Sequence, residues 1–249
     1  MLFYILFILI TILIILKYFK KETFQNNSKI KIDNQIYDQF YVNIYDELYD
    51  SNINTLLCKK ILNYLDKNDS ILCINSKNGH ILNCLSKYNI TGIENNTFFI
   101  NECKHKYNIN TKYGNISNIS LFKKNMFNHI ILPINIFQNI DPYISISKYW
   151  LNNNGLLFVP YLTKPTKYTN LINNSPSLSF LSNYKVEYHI KHNIIKEIIK
   201  TNFNHIKRIN ILNYKNINHK HISQNYNLKF INKVNIIQGI DLLIFQNYL

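Results

Sequence analysis

A chain of 249 residues with 47% hydrophobic content is long enough for one α/β-sized domain plus an appendage, and too apolar to be disordered over most of its length. Its formal charge of +14 is almost wholly lysine, with Arg208 the sole arginine, while Gly and Pro occur only five times each. Lys, Asn, Ile and Tyr share AT-rich codons, so base composition accounts for much of that charge, and nucleic acid is a partner the charge allows without favouring.

The N-terminal run from Met1 to Leu16 carries no charge and is followed by Lys17, Tyr18, Phe19, Lys20 and Lys21. Alone it falls slightly short of a hydrocarbon core about 30 Å thick. With Lys17 snorkelling and Tyr18 and Phe19 anchored at the interface, residues 1–19 suffice as a single-pass transmembrane anchor. No positive segment precedes the run and no small-residue cleavage site follows it, which argues against a removable signal. The lysine flank places the rest of the chain on the cytoplasmic side. Residues 20–35 read as a polar tether, and 36–249 as one domain.

Residues 36–69 predict helices: Tyr37, Phe40, Tyr41, Tyr45 and Tyr49 recur at three-to-four spacing, as do Leu56, Leu57, Ile61 and Leu65. Strands are then expected at 71–74, 90–94, 110–113, 128–133 and 156–160, with helices at 80–88, 97–107 and 143–151. This alternation predicts a mainly parallel sheet with crossover helices. Beyond Thr163 the pattern loosens. Residues 193–203 read as a helix, and 208–215, 226–231 and 235–245 as strands, the last two forming an antiparallel pair at a sheet edge. Cys58, Cys73, Cys84 and Cys103 form no CxxC pair and read as free thiols, Cys73 and Cys84 lying within apolar segments. His189, His192, His219 and His221 lack a Cys or acidic partner at ligand spacing, so no metal is expected.

The stretch SILCINSKNGHILNCL, residues 70–85, is a strand, a tight loop and a helix, a geometry used by nucleotide cofactors. In register with it follow ITGIE ending at Glu94, YGN with Gly114-Asn115, MFNHIILP with Phe127-Asn128, Asp141-Pro142, and LNNNGLLFVP with Gly155. This order resembles the class I S-adenosylmethionine-dependent methyltransferases over about residues 36–162. Four of the five glycines, Gly79, Gly92, Gly114 and Gly155, fall at the motif positions.

The resemblance implies a Rossmann-like α/β fold and S-adenosylmethionine as cofactor. It implies a cofactor lining of Cys73, Asn75, Lys77, Gly79, Glu94, Asn95, Asn115, Ile116 and Pro133. Gly79 would keep the glycine approach, Glu94 would accept both ribose hydroxyls, and Asn115 would meet the adenine edge. The chain departs from the family at Cys73, which replaces its acid, at Asn75 and Lys77, which replace two of its loop glycines, and at Asn115 and Asn128. No catalytic base is assigned: Gln138 stands where many small-molecule members carry His, and the Asn/Asp-Pro-Pro-aromatic signature is absent. His80 reads as a capping or packing residue. The chain is expected to be a membrane-tethered methyltransferase-like protein with weakened activity, or a non-catalytic scaffold of the same fold. An anchor joined to a drifted domain of this composition also resembles proteins of large DNA viruses.

Overall fold

The computed structural model describes residues 30–49, 51–134, 140–170, 172, 184–201 and 206–248. The expected anchor, most of the expected tether and Gln138 lie outside the described residues. Among the described residues no helix is long and apolar enough to cross a membrane.

Strand β1 (Ile30–Ile32) leads into helices α1 (Gln39–Leu48) and α2 (Ser51–Ile61). An alternating series follows: β2 (Ser70–Ile74), α3 (His80–Cys84), β3 (Asn89–Glu94), α4 (Thr97–Tyr107), β4 (Thr111–Tyr113), β5 (Phe127–Ile131), α5 (Asp141–Trp150) and β6 (Leu151–Leu162). After it come β7 (Tyr184–Lys191), β8 (Ile194–Thr201), β9 (Lys207–Asn213), α6 (His219–Tyr226), β10 (Leu228–Ile237) and β11 (Ile240–Asn247).

Seven strands form one sheet in the order β10–β11–β6–β5–β2–β3–β4. The neighbours from β6 to β4 pair in parallel, as the alternation predicts. Four of the five residues of β2 are buried, which suits a central strand covered on both faces. The antiparallel pair expected at the sheet edge forms as β10 and β11, but an antiparallel outermost strand, as also expected, does not. The antiparallel strand is β11, which pairs with both β6 and β10, so it is second from the edge, and the edge strand β10 runs parallel to the rest. Burial explains the order: β11 is buried along nearly its whole length, whereas β10 exposes Lys229, Asn232 and Lys233, polar side chains that an edge tolerates.

A second sheet, ordered β1–β9–β8–β7, packs against α1. It contains two departures from expectation. Ile30–Ile32, within the stretch expected to be tether, pairs in parallel with β9. The helix expected over 193–203 is instead strand β8, hairpinned to β7 through a turn at His192, which takes a left-handed φ of 53°. The Ile pairs at 194–195 and 198–199 suit a helical face as well as a strand, but the most deeply buried residues, Ile195, Glu197 and Ile199 (0%, 0% and 1% exposed, against 6% for Ile198), alternate with period two. Cores fill both faces of the large sheet, and a third lies between α1, α4 and the small sheet around Tyr41, Leu48, Phe99 and Ile199.

Candidate functional site

From β2 the chain passes to β3 and β4 on one side, then returns to β5 on the other, so strand order reverses between β2 and β5. In open α/β sheets ligands bind at that reversal, outside the carboxyl ends of the strands. The loop there, 75–79, has left-handed backbone at alternate residues: Asn75 (φ 49°), Lys77 (φ 51°) and Gly79 (φ 86°). Glycine adopts this shape without steric penalty, whereas for other residues it costs about 1 kcal/mol each. The loop therefore takes, at Asn75 and Lys77, a conformation that glycine would adopt freely. At Gly79 a Cβ would sit 2.3 Å from Cys103 Sγ on α4, so the loop is pressed against that helix.

Glu94 ends β3 and is wholly buried. Its Oε2 accepts from the Lys77 amide (3.0 Å), and its Oε1 accepts from the amides of Asn95 (3.0 Å) and Asn96 (3.1 Å). The Lys77 ammonium lies 4.8 Å from the ring centroids of both Tyr37 and Phe99, a cation–π contact with two rings. On the other side of the loop, Asn75 Nδ2 donates to the Tyr143 hydroxyl on α5 (3.0 Å), joining the segment after β2 to the helix after β5.

Of the other expected site residues, Cys73 is buried in β2 between Gly92 and Ile131. Burial and then the Glu94 charge push its thiol up to about 12, so it stays protonated. Pro133 is buried just beyond β5, and Asn95 is exposed just beyond β3. Asn115 is exposed after β4, with its Oδ1 accepting from the Ser117 amide (2.9 Å) in a local turn, and Ile116 packs on the core. Topology thus brings Cys73, Asn75, Lys77, Gly79, Glu94, Asn95, Asn115, Ile116 and Pro133 to the carboxyl end of the sheet, where the Gly114 amide donates to the Glu94 carbonyl (3.0 Å). Asn115 follows the outermost strand and spends its acceptor on its own loop.

Sequence reasoning missed Tyr37, Phe99 and Tyr143, whose contacts with the loop are long-range. It also missed two polar clusters. Asp46 on α1 receives Asn78 and Lys106 and lies 3.2 Å from His80 Nε2, while Tyr107 meets His80 Nδ1 at 3.2 Å. Burial opposes its ionisation, but the bonds from His80 and Lys106 hold the Asp46 carboxyl down to about 2. His80 thus packs between α1 and α4. Glu197, wholly buried on β8, accepts from the hydroxyls of Tyr41 (3.0 Å) and Tyr49 (3.3 Å) and from Asn210 (3.5 Å). Burial raises its carboxyl above the ordinary range. The excess of tyrosine at helical spacing in α1 was the available signal for this cage. Among the described residues no group of three His, Cys, Asp or Glu is placed to hold a metal ion.

The parallel sheet, the reversal between β2 and β5 and the left-handed loop define a Rossmann-like α/β fold. No protein-family model matches the chain, and no curated protein matches its sequence. Solved structures do match in fold. A S-adenosylmethionine-dependent methyltransferase from Clostridium acetobutylicum aligns with TM-score 0.60 and 14% identity, over 84% of this chain and 98% of that one. The CcbJ methyltransferase from Streptomyces caelestis gives 0.59 and 11%, over 84% and 96%. CalS10, an amino pentose methyltransferase from Micromonospora echinaspora solved with S-adenosylmethionine bound, gives 0.58 and 10%, over 85% and 98%. The chain has the fold of S-adenosylmethionine-dependent methyltransferases.

These residues fit S-adenosylmethionine only in part. The loop has left-handed backbone at Asn75, Lys77 and Gly79, but the space beside Gly79 is filled by Cys103 of α4. A ribose also brings two hydroxyl donors that need acceptors, and both Glu94 oxygens are buried and already hold three amides.

Proposed function

We propose that the chain is a methyltransferase-like protein, tethered to a membrane by residues 1–19, that binds S-adenosylmethionine weakly and has weakened activity. One observation carries the weakening: the carboxylate expected to receive the ribose is wholly buried and already accepts the amides of Lys77, Asn95 and Asn96, with the Lys77 side chain held against Tyr37 and Phe99. To bind, a nucleoside must open that loop, and the opening is subtracted from its affinity. The tether rests on the uncharged run Met1–Leu16 and its lysine flank, which put the domain on the cytoplasmic side or inside a virion. Composition supports a divergent member of the kind that resembles proteins of large DNA viruses. A second reading, a non-catalytic scaffold of the same fold, is favoured by the Asn75–Tyr143 bond across the point where strand order reverses.

Calorimetry on the full chain in detergent tests both readings. The wild type should bind S-adenosylmethionine only in the millimolar range, and Asn75→Gly/Lys77→Gly, which clears the loop of side chains, should bind at least about tenfold more tightly, roughly 1.4 kcal/mol. Micromolar binding by the wild type would refute the weakening. No binding by either protein at millimolar ligand would favour the scaffold.

A further inference from the structure

The small sheet has two unlike faces. One packs against α1 and buries Glu197, Arg208 and Asn210. The other carries Ile30 and Ile32 of β1, Ile194 of β8 and Ile211 of β9, each about half exposed (54%, 51%, 47% and 50%). Strand register confirms the common face, because Ile30 pairs with Lys207, Ile32 with Ile209 and Lys196 with Ile211. Around this apolar strip the same register places Lys185, Lys191, Lys196, Lys200 and Lys207. Among the described residues of this face the only acid is Glu187, which bridges Lys200 (2.8 Å) and Lys185 (3.3 Å).

We infer that this face of the small sheet lies against an anionic membrane surface. The inference rests on the tether reading and adds which side of the domain the membrane meets. Two observations select lipid as the occupant. The first is chemical: half-exposed isoleucines ringed by lysines suit the boundary between acyl chains and acidic headgroups, where branched apolar side chains bury and ammonium groups stay with phosphate. The second is connectivity. The uncharged run ends at Leu16, and residues 17–29 cannot span more than about 50 Å before Ile30, which itself lies on the face. The tether therefore joins the domain at the edge of this strip. A nucleic acid would use the lysines but leave the isoleucines without a role.

Lysine acylation of the full chain, read by mass spectrometry, tests the inference on vesicles of phosphatidylcholine alone and of phosphatidylcholine with phosphatidylserine. On the anionic vesicles Lys185, Lys191 and Lys200 should react at least about fivefold more slowly than on the neutral ones, the factor expected for one lysine held at an acidic surface. Lys123 and Lys124, exposed before β5, should differ by less than about twofold between the vesicles, as expected of lysines held more than a Debye length from that surface. If the chain floats with both vesicles and the face lysines react equally on each, the inference is overturned and the tether stands. If the chain floats with neither, the tether reading fails and takes the inference with it. Stronger protection of the same lysines by duplex DNA than by anionic vesicles would overturn the choice of lipid.

Discussion

At the scale of single residues, two carboxylates that are buried for different reasons organise the protein. Glu94 is held by backbone amides, so its partners depend on chain path rather than on side-chain identity. Glu197 is held by phenol and amide side chains from residues as distant in sequence as Tyr41 and Asn210. Glu197→Ala should cost about 2–4 kcal/mol in denaturant unfolding, because it leaves a cavity and removes the buried acceptor that Tyr41, Tyr49 and Asn210 share. The sign of its pH effect follows from the raised carboxyl. The folded state holds the proton more tightly, so this contribution is complete below the ordinary glutamate range and fades as pH rises through the folded value. Glu197→Gln should fold and should remove that fall in stability toward higher pH, which unfolding curves taken at successive pH values would show. Glu94 is legible in the sequence as a glutamate ending a strand, but the amides that hold it leave no sequence mark, and Glu197 is not legible at all.

At the scale of elements, α1, α3 and α4 are locked around Gly79 and Asp46. Gly79→Ala should destabilise by about 2–4 kcal/mol, since φ 86° strains an L-residue and the new Cβ collides with Cys103. A Gly79→Ala/Cys103→Ala pair should recover the collision part only, which a double-mutant cycle in thermal unfolding would separate. The Asp46 carboxyl is lowered, so it stabilises the fold above its unfolded value near 4, and that stability is lost as pH falls toward about 2. Asp46→Asn should flatten the acid limb of stability between about pH 4 and pH 2, a window set by the shift itself. Elements with one dominant period were legible: the unbroken apolar run of β2 and the Thr97–Tyr107 helix, which Asn96 caps at its start, stand where the sequence puts them. Residues 194–201 form a strand where the sequence predicts a helix because paired isoleucines satisfy both periods. Only the burial of Glu197, decided by distant tyrosines, selects the strand.

For the whole molecule, the order of short strands and helices revealed a mainly parallel sheet, since each crossover is local. The strand order at the β10–β11 end was less legible, because an antiparallel pair reads alike with either member outermost. Of the four motif glycines, Gly79 and Gly114 stand just beyond the carboxyl ends of β2 and β4, whereas Gly92 lies within β3 and Gly155 near the start of β6 against the start of β5. Asn75 and Lys77 take left-handed backbone in the loop after β2. The fold is that of S-adenosylmethionine-dependent methyltransferases, while the seal over Glu94 sets the proposed function apart from efficient catalysis.

Amide hydrogen exchange of the full chain, with and without S-adenosylmethionine, tests that seal most directly. The amides of Lys77, Asn95 and Asn96 should be protected in the free protein, and micromolar cofactor should leave their exchange unchanged. Rapid exchange of these three amides in the free protein, or a change in their protection at micromolar cofactor, would contradict the account.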